Sequence, residues 1–316
     1  MFDAIRIMRQ EKISIIESHG YKTHVIAAIV KVVTGARWIA FSHGWTAENA
    51  KVKLYHALDR VMLRFADLNV TVAPNMRDTV KKIAGHCAPV EMILNAIEVG
   101  EPPSAEARTR VRGEFNVAPD TVLLGCFGRM SREKGQGILL DALARMKPKR
   151  RVEALFVGDG VDLKMVQEKT ASLGLVDRVH FAGYQKNIAP YYAAIDALVL
   201  PSLSEGTPNV MLEAMASGVP VVSSDVGAVR EAIVENETGW LVPPGDAAPL
   251  AAALMRASDD EAARARVASA AKKALYPKFD PKARADRIVS LYERVTQSDS
   301  LASVQTQPSS PAQLPK

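Results

Sequence analysis

Two cysteines, Cys87 and Cys126, are all that the 316 residues contain. Neither stands at metal-ligand spacing from a second cysteine or a histidine, which excludes a disulfide framework and a cysteine-based zinc site and fits a reducing cytoplasm. Long apolar runs are missing too. The longest, VIAAIVKVV at 25–33, is broken by Lys31 and is too short to span a bilayer. The opening MFDAIRIMRQEK mixes charge into an amphipathic pattern, so a signal peptide is not expected there. A clustered Lys/Arg stripe is also lacking: the net charge of +5 is permissive of phosphates or an anionic membrane surface, but nucleic acid is not an expected partner. No repeat of solenoid length occurs. FVGDG at 156–160 falls short of the full G-x-G-x-x-G fingerprint, which argues against a dinucleotide-dependent dehydrogenase.

What remains is a chain of 48% hydrophobic and 24% charged residues, the composition of a soluble α/β protein whose length suits about two domains. Short apolar runs (ISIIE, RWIAF, LNVTVA, VEMIL) alternate with helical patterns (KTHVIAAIVKVV, KVKLYHALDRVMLRFA, MRDTVKKIAG), which predicts βαβ units and a parallel sheet. The segment EVGEPPSAEARTRVRGEFNVAPD at 98–120 interrupts this with Pro, Gly and charge. The pattern then restarts with TVLLGCF, VEALFVG, RVHFAG, ALVLPS and VPVVSS, each followed by a helical stretch: a second doubly wound sheet. The expected division is therefore 1–104, 105–296, and a polar Pro/Ser-rich tail at 297–316 that buries too little to order itself.

Chemistry-bearing residues cluster at predicted strand ends. In SLSEGTPNVMLEAMASG, Glu205 lies on the loop leaving a strand, Thr207 is the expected N-cap, Pro208 the first helical position, and Glu213 about two turns in. Such a loop faces the crevice at the carboxyl ends of the strands, and a helix start offers free N–H groups to an anion. A carboxylate on each side suits a ligand with a phosphate in the middle and hydroxyls at both flanks; an unrelated loop Glu and a solvated helical Glu is the plainer alternative. Arg129 and Lys134, on the loop after TVLLGCF, are placed to clamp a diphosphate, each contact worth on the order of 4 kcal/mol at ~4 Å before desolvation; a solvated basic turn is the alternative. In the first half Ser-His-Gly occurs twice, ending in Gly20 and Gly44, each time closing an apolar strand. His19 and His43 thus belong at one sheet edge.

Together these residues resemble the family 4 (group 1) glycosyltransferases, on GRMSREKG, EGTPNVMLE with its E-x7-E spacing, and SDVGAVREAIVENETGWLVPPGD at 224–246, where Ala228 stands in place of a common second glycine. The resemblance implies a GT-B fold, two Rossmann-like doubly wound parallel-sheet domains facing a cleft, and retaining transfer of a sugar from a nucleotide-sugar donor to a saccharide or lipid-linked acceptor in bacterial polysaccharide or glycolipid assembly. It implies a catalytic set of His43, Glu205, Arg129 and Lys134. Donor binding would fall to Arg129, Lys134, Gly206, Thr207, Pro208, Asn209, Val210 and Glu213, with Glu205 on the donor sugar, Glu213 on the ribose and GYQKNI at 183–188 near the base. His19 is an acceptor-side candidate. No cofactor is implied, a UDP- or GDP-linked sugar being the substrate. No metal is implied either, and no Asp-x-Asp occurs. Family members carry further βα units before the point matching this chain's start, so 1–104 reads as a shortened acceptor-side domain and 105–296 as a full donor-binding one. An inactive nucleotide-sugar-binding protein or partner subunit, and a nucleotide-sugar epimerase of the same fold, are the alternatives. The expected location is cytoplasmic or at the inner face of the membrane, with KVKLYHALDRVMLRF weighed as a membrane-contacting helix against a core-facing one.

Overall fold

A computed structural model describes residues 2–44, 50–98 and 104–304. The chain divides into two compact units, the first made of residues 1–71, 76–93 and 284 onward, the second of 72–75 and 94–283. The units change at 93/94 where 104/105 was expected, and the chain returns to its first unit at the end.

In the first unit, α1 (Phe2–Gln10), β1 (Ile15–His19), α2 (Tyr21–Thr34), β2 (Arg37–Ser42), α3 (Ala50–Met62), β3 (Leu68–Thr71), α4 (Pro74–Ala84) and β4 (Val90–Met92) follow one another. The four strands lie in the order β1-β2-β3-β4, all parallel. Sequential order with right-handed crossovers places the connecting helices on one face of a sheet. Ile16 and Val30 meet Met8 of α1 on that side, and the Trp38 indole donates to Ser18 Oγ at 2.7 Å. The opposite face carries Ile39, Phe41, Leu68 and Val70, which alternate with the first set as a strand period of two requires.

That second face needs a cover. It comes from the far end of the chain, where Leu291 and Val295 join the same buried cluster. In the second unit come α5 (Ala105–Glu114), β5 (Val122–Phe127), α6 (Gln136–Arg145), β6 (Val152–Val157), α7 (Leu163–Ser172), β7 (Val179–Gly183), α8 (Ala189–Ala194), β8 (Ala197–Leu200), α9 (Asn209–Ala216), β9 (Val221–Ser224), β10 (Trp240–Val242), α10 (Ala247–Asp259) and α11 (Glu261–Ala274). After them α12 (Pro281–Val304) leads back to the first unit. It continues past position 297, where a disordered tail was expected; residues 305–316 of that tail lie outside the described residues.

The second sheet is parallel and runs β10-β9-β8-β5-β6-β7. Buried clusters fill both of its faces: Leu124, Cys126, Leu139 and Phe156 on one, Leu123, Leu155, Leu198 and Met215 on the other. Strand order reverses between β5 and β8. In an open α/β sheet this is the switch point where loops diverge and leave a crevice for a ligand.

Candidate active site

The loops leaving β5 and β8 meet at that switch point. Lys134 Nζ donates to Oε1 of Glu205 at 2.7 Å and to Oε2 at 3.0 Å, and Ser202 Oγ donates to Oε1 at 2.7 Å. The Glu205 side chain is only 8% exposed. Burying that carboxylate demands such partners. Arg129, on the same loop as Lys134, pairs with Glu133 at 2.7 Å, and its carbonyl accepts from Gln136 Nε2 at 2.9 Å.

Two glycines make the approach feasible. Gly135 has φ +67°, and a Cβ there would sit 2.0 Å from Pro201 O, so the loop carrying Lys134 lies flat against the end of β8. Gly227 has φ +62°, and its Cβ would fall 2.3 Å from Glu205 O and 2.5 Å from Gly206 O. Ala228, at the position noted for its missing glycine, donates its N–H to Gly206 O at 2.9 Å. The segment after β9 is thus the floor under Glu205 and Gly206.

Helix α9 begins at Asn209 with Pro208 as its N-cap, one residue later than expected. Thr207 does not cap it, because its hydroxyl is spent on the Val72 carbonyl. Asn95 Nδ2 donates to Thr207 O at 3.1 Å and to Asn209 Oδ1 at 2.8 Å, which ties down the helix entry. Glu213 lies four residues past that start, about one turn into the helix, where about two turns were expected. There it accepts from the Tyr192 hydroxyl at 2.8 Å. Burial first, then the Glu213 charge, push the Tyr192 phenol well above its ordinary range, so it stays a donor. A cavity of about 380 Å³ adjoins these elements, lined among others by Arg129, Asp159, Tyr184, Gln185 and Val210. Tyr184 and Gln185 come from the GYQKNI loop.

The first unit holds the two histidines together. Parallel register sets His19 beside Phe41, two residues before His43, and His19 Nδ1 lies 3.0 Å from His43 Nε2. The rings of Phe41, His19 and His43 lie nearly parallel at the corners of a triangle, with centroids 4.8 Å (Phe41 to His19), 5.3 Å (His19 to His43) and 6.5 Å (Phe41 to His43) apart. Desolvation, then the neighbouring His19, hold the His43 imidazole below its ordinary value. Beneath this pair His24 is buried, with Nδ1 2.5 Å from Asp59 Oδ1 and Nε2 3.2 Å from Phe41 O. Both of its nitrogens thus have an oxygen partner inside the unit.

Sequence reasoning missed Ser202, Tyr192, Gly227 and Glu17. Ser202 and Gly227 flank the recognised motif and could have been found as its neighbours. Tyr192 and Glu17 carry no local signal, since their partners lie across the fold. Among the described residues no group of three or more His, Cys, Asp and Glu is placed to hold a metal ion.

Residues 121–260 match the model of the glycosyl transferases group 1, and residues 1–101 match that of glycosyltransferase family 4. A lipopolysaccharide core biosynthesis mannosyltransferase of Rhizobium meliloti, LpsB, is 32% identical over 59% of this chain and 55% of its own length. A glycogen synthase of Mycobacterium tuberculosis is 30% identical over 75% of this chain and 56% of its own. The chain therefore spans a little over half the length of these relatives. Among solved structures, Anabaena HepE in complex with UDP superposes with a TM-score of 0.81 at 25% identity, covering 92% of this chain and 81% of that one. Both halves of the chain thus match models of one enzyme family on a fold of two parallel-sheet α/β domains, and the chain belongs to the group 1, family 4 glycosyltransferases.

Proposed function

We propose that this protein transfers a sugar from a nucleotide-sugar donor, UDP- or GDP-linked, to a saccharide or lipid-linked acceptor, with retention at the anomeric carbon. The observation that carries the reading is the Lys134–Glu205 pair at the switch point of the second sheet. A buried carboxylate there has acceptor oxygens for sugar hydroxyls, and the lysine, with three N–H donors, can hold Glu205 and a phosphate oxygen at once. Arg129 supplies a second fixed cation on the same loop, and the first amides of α9 supply donors for the diphosphate. These groups stabilise charge on the departing diphosphate, the term that preorganised cations supply best. Because they provide positive charge without a metal, the reading is metal-independent, and activity should survive EDTA. Glu213, held by Tyr192, receives the ribose hydroxyls, and Tyr184 with Gln185 receives the base. The relative bound to UDP supports the nucleotide assignment. Assembly of a bacterial polysaccharide or glycolipid fits the lipopolysaccharide enzyme among the relatives.

A thermal-shift titration with UDP, GDP and ADP tests the donor site, with Arg129→Ala as control. At about 100 times the dissociation constant a bound nucleotide stabilises by about 2.7 kcal/mol. A shift with one nucleotide that vanishes in Arg129→Ala is the expected result. No shift with any of them, from a folded protein, would favour a non-binding relative of the enzymes.

The reading includes a place at the inner membrane face. No described helix is long and apolar enough to cross a membrane. Helix α3 shows both characters weighed for it: His56 and Asp59 are buried toward the core, while Leu54, Leu58, Val61 and, just beyond it, Phe65 are 71%, 42%, 49% and 58% exposed in one stripe. The exposed Arg60 and Arg64 stand beside that stripe. Sedimentation with anionic liposomes is the expected behaviour, and a protein that stays in the supernatant would remove this element.

A further inference from the structure

We propose that Glu17 and His19 are positioning residues that decide which ring nitrogen of His43 carries the proton. Glu17 and His19 are two apart on β1 and so share one face of the strand. His19 Nε2 stands 3.6 Å from Glu17 Oε2. The other oxygen of Glu17 accepts from the Tyr292 hydroxyl of α12 at 2.5 Å. A carboxylate 3.6 Å from Nε2, beyond hydrogen-bond reach, favours the hydrogen on that nitrogen through its charge, and a neutral imidazole has only one N–H. The His19 Nδ1 is then a lone pair. At 3.0 Å from His43 Nε2, it accepts a hydrogen bond from that atom.

The chain of inference ends at His43 Nδ1, the nitrogen left with a lone pair and therefore able to accept from a hydroxyl. Had Glu17 been a donor, every step would invert, and Nδ1 of His43 would carry hydrogen. The near-parallel rings of Phe41, His19 and His43 pack against one another and support the two imidazoles in this arrangement. Among the described residues, His24 of α2 and Arg284 of α12 are the other groups acting on His43. Arg284 is cationic and opposes a proton at Nδ1 while the ring waits for a donor. Among the described residues Glu17 is the anion paired with this couple. It compensates charge along the line when Nδ1 accepts.

This rests on the transferase reading only for its effect on turnover; the tautomer belongs to the chain itself. The experiment is nitrogen-15 NMR of the full chain with labelled histidine, assigning the protonated nitrogen of His43 at a pH where the ring is neutral. The parent should show His43 with its hydrogen on Nε2. In Glu17→Gln the amide oxygen stays with Tyr292 and the NH2 group turns to His19 Nε2, so the majority form of His43 should switch to Nδ1–H. In His19→Phe, His43 should return to the mixture of a free imidazole. A His43 whose tautomer is the same in the parent and in both variants, with unchanged melting midpoints, overturns the proposal. Where transfer is detected, Glu17→Gln should lower kcat on the order of tenfold or more at unchanged donor KM, as loss of a tautomer-setting carboxylate does elsewhere. A parent without transfer refutes the transferase reading and leaves the NMR result to decide this one.

Discussion

Replacing Lys134 by methionine removes a cation from a carboxylate that water barely reaches. Glu205 is 8% exposed in its side chain and keeps only Ser202 at 2.7 Å once the two contacts from Lys134 are gone. Breaking a buried ion pair on one side costs about 3 to 5 kcal/mol. Lys134 is 26% exposed, so some water enters and the lower end, about 3 kcal/mol, applies. With a urea slope of about 2 kcal/mol per molar, the midpoint should fall by about 1.5 M. Trp240, buried in the same unit, reports the transition by fluorescence. The double variant Lys134→Met with Glu205→Leu leaves no orphan charge and should recover to within about 1 kcal/mol of the parent. Both proteins should lose the nucleotide-induced shift. A single variant as stable as the parent, or a double variant weaker than the single one, would refute the account of Glu205 as a buried anion held by Lys134.

Other substitutions probe the surrounding parts. Gly227→Ala places a methyl group 2.3 Å from Glu205 O at a positive φ, so nucleotide affinity should drop at least tenfold while circular dichroism stays native in form; unchanged affinity would mean that the floor gives way. Glu213→Ala and Tyr192→Phe should both weaken nucleotide binding, the second by about 1 kcal/mol for one lost hydrogen bond, whereas Glu205→Ala should act mainly on turnover; isothermal titration separates them. Burial pushes the Cys126 thiol up to about 12. Below that pH it remains protonated and screened, so iodoacetamide at pH 8 should label exposed Cys87 alone, and two labels per folded chain would contradict the buried end of β5.

Local pattern made much of this visible. Alternating apolar runs mark the strands because a buried parallel strand has to be apolar on both faces, and Ser-His-Gly repeated at two strand ends puts His19 and His43 at one sheet edge. E-x7-E located the loop and helix that carry Glu205 and Glu213. The helix start was misread because Thr207 has the right chemistry for a cap but a competing acceptor, Val72 O, from a distant segment. Tertiary partners of this kind, Tyr192 for Glu213 and Tyr292 for Glu17, leave no trace in spacing. The return of α12 was hidden for the same reason: its apolar positions Leu291 and Val295 read as a helix facing some core, without saying which.

That return has a consequence for how the protein comes into being. During synthesis the second unit can close as soon as α11 is made, since its strands and their covering helices are contiguous in the chain. The first unit, although translated earlier, has to wait for Leu291, Tyr292 and Val295 to leave the ribosome before Ile39, Phe41 and Val70 are shielded from water. Its half-finished sheet is the stage at which a chaperone would hold the nascent chain. Removing α12 would therefore be felt at Glu17, which loses Tyr292, and on the sheet face of Ile39, Phe41 and Val70.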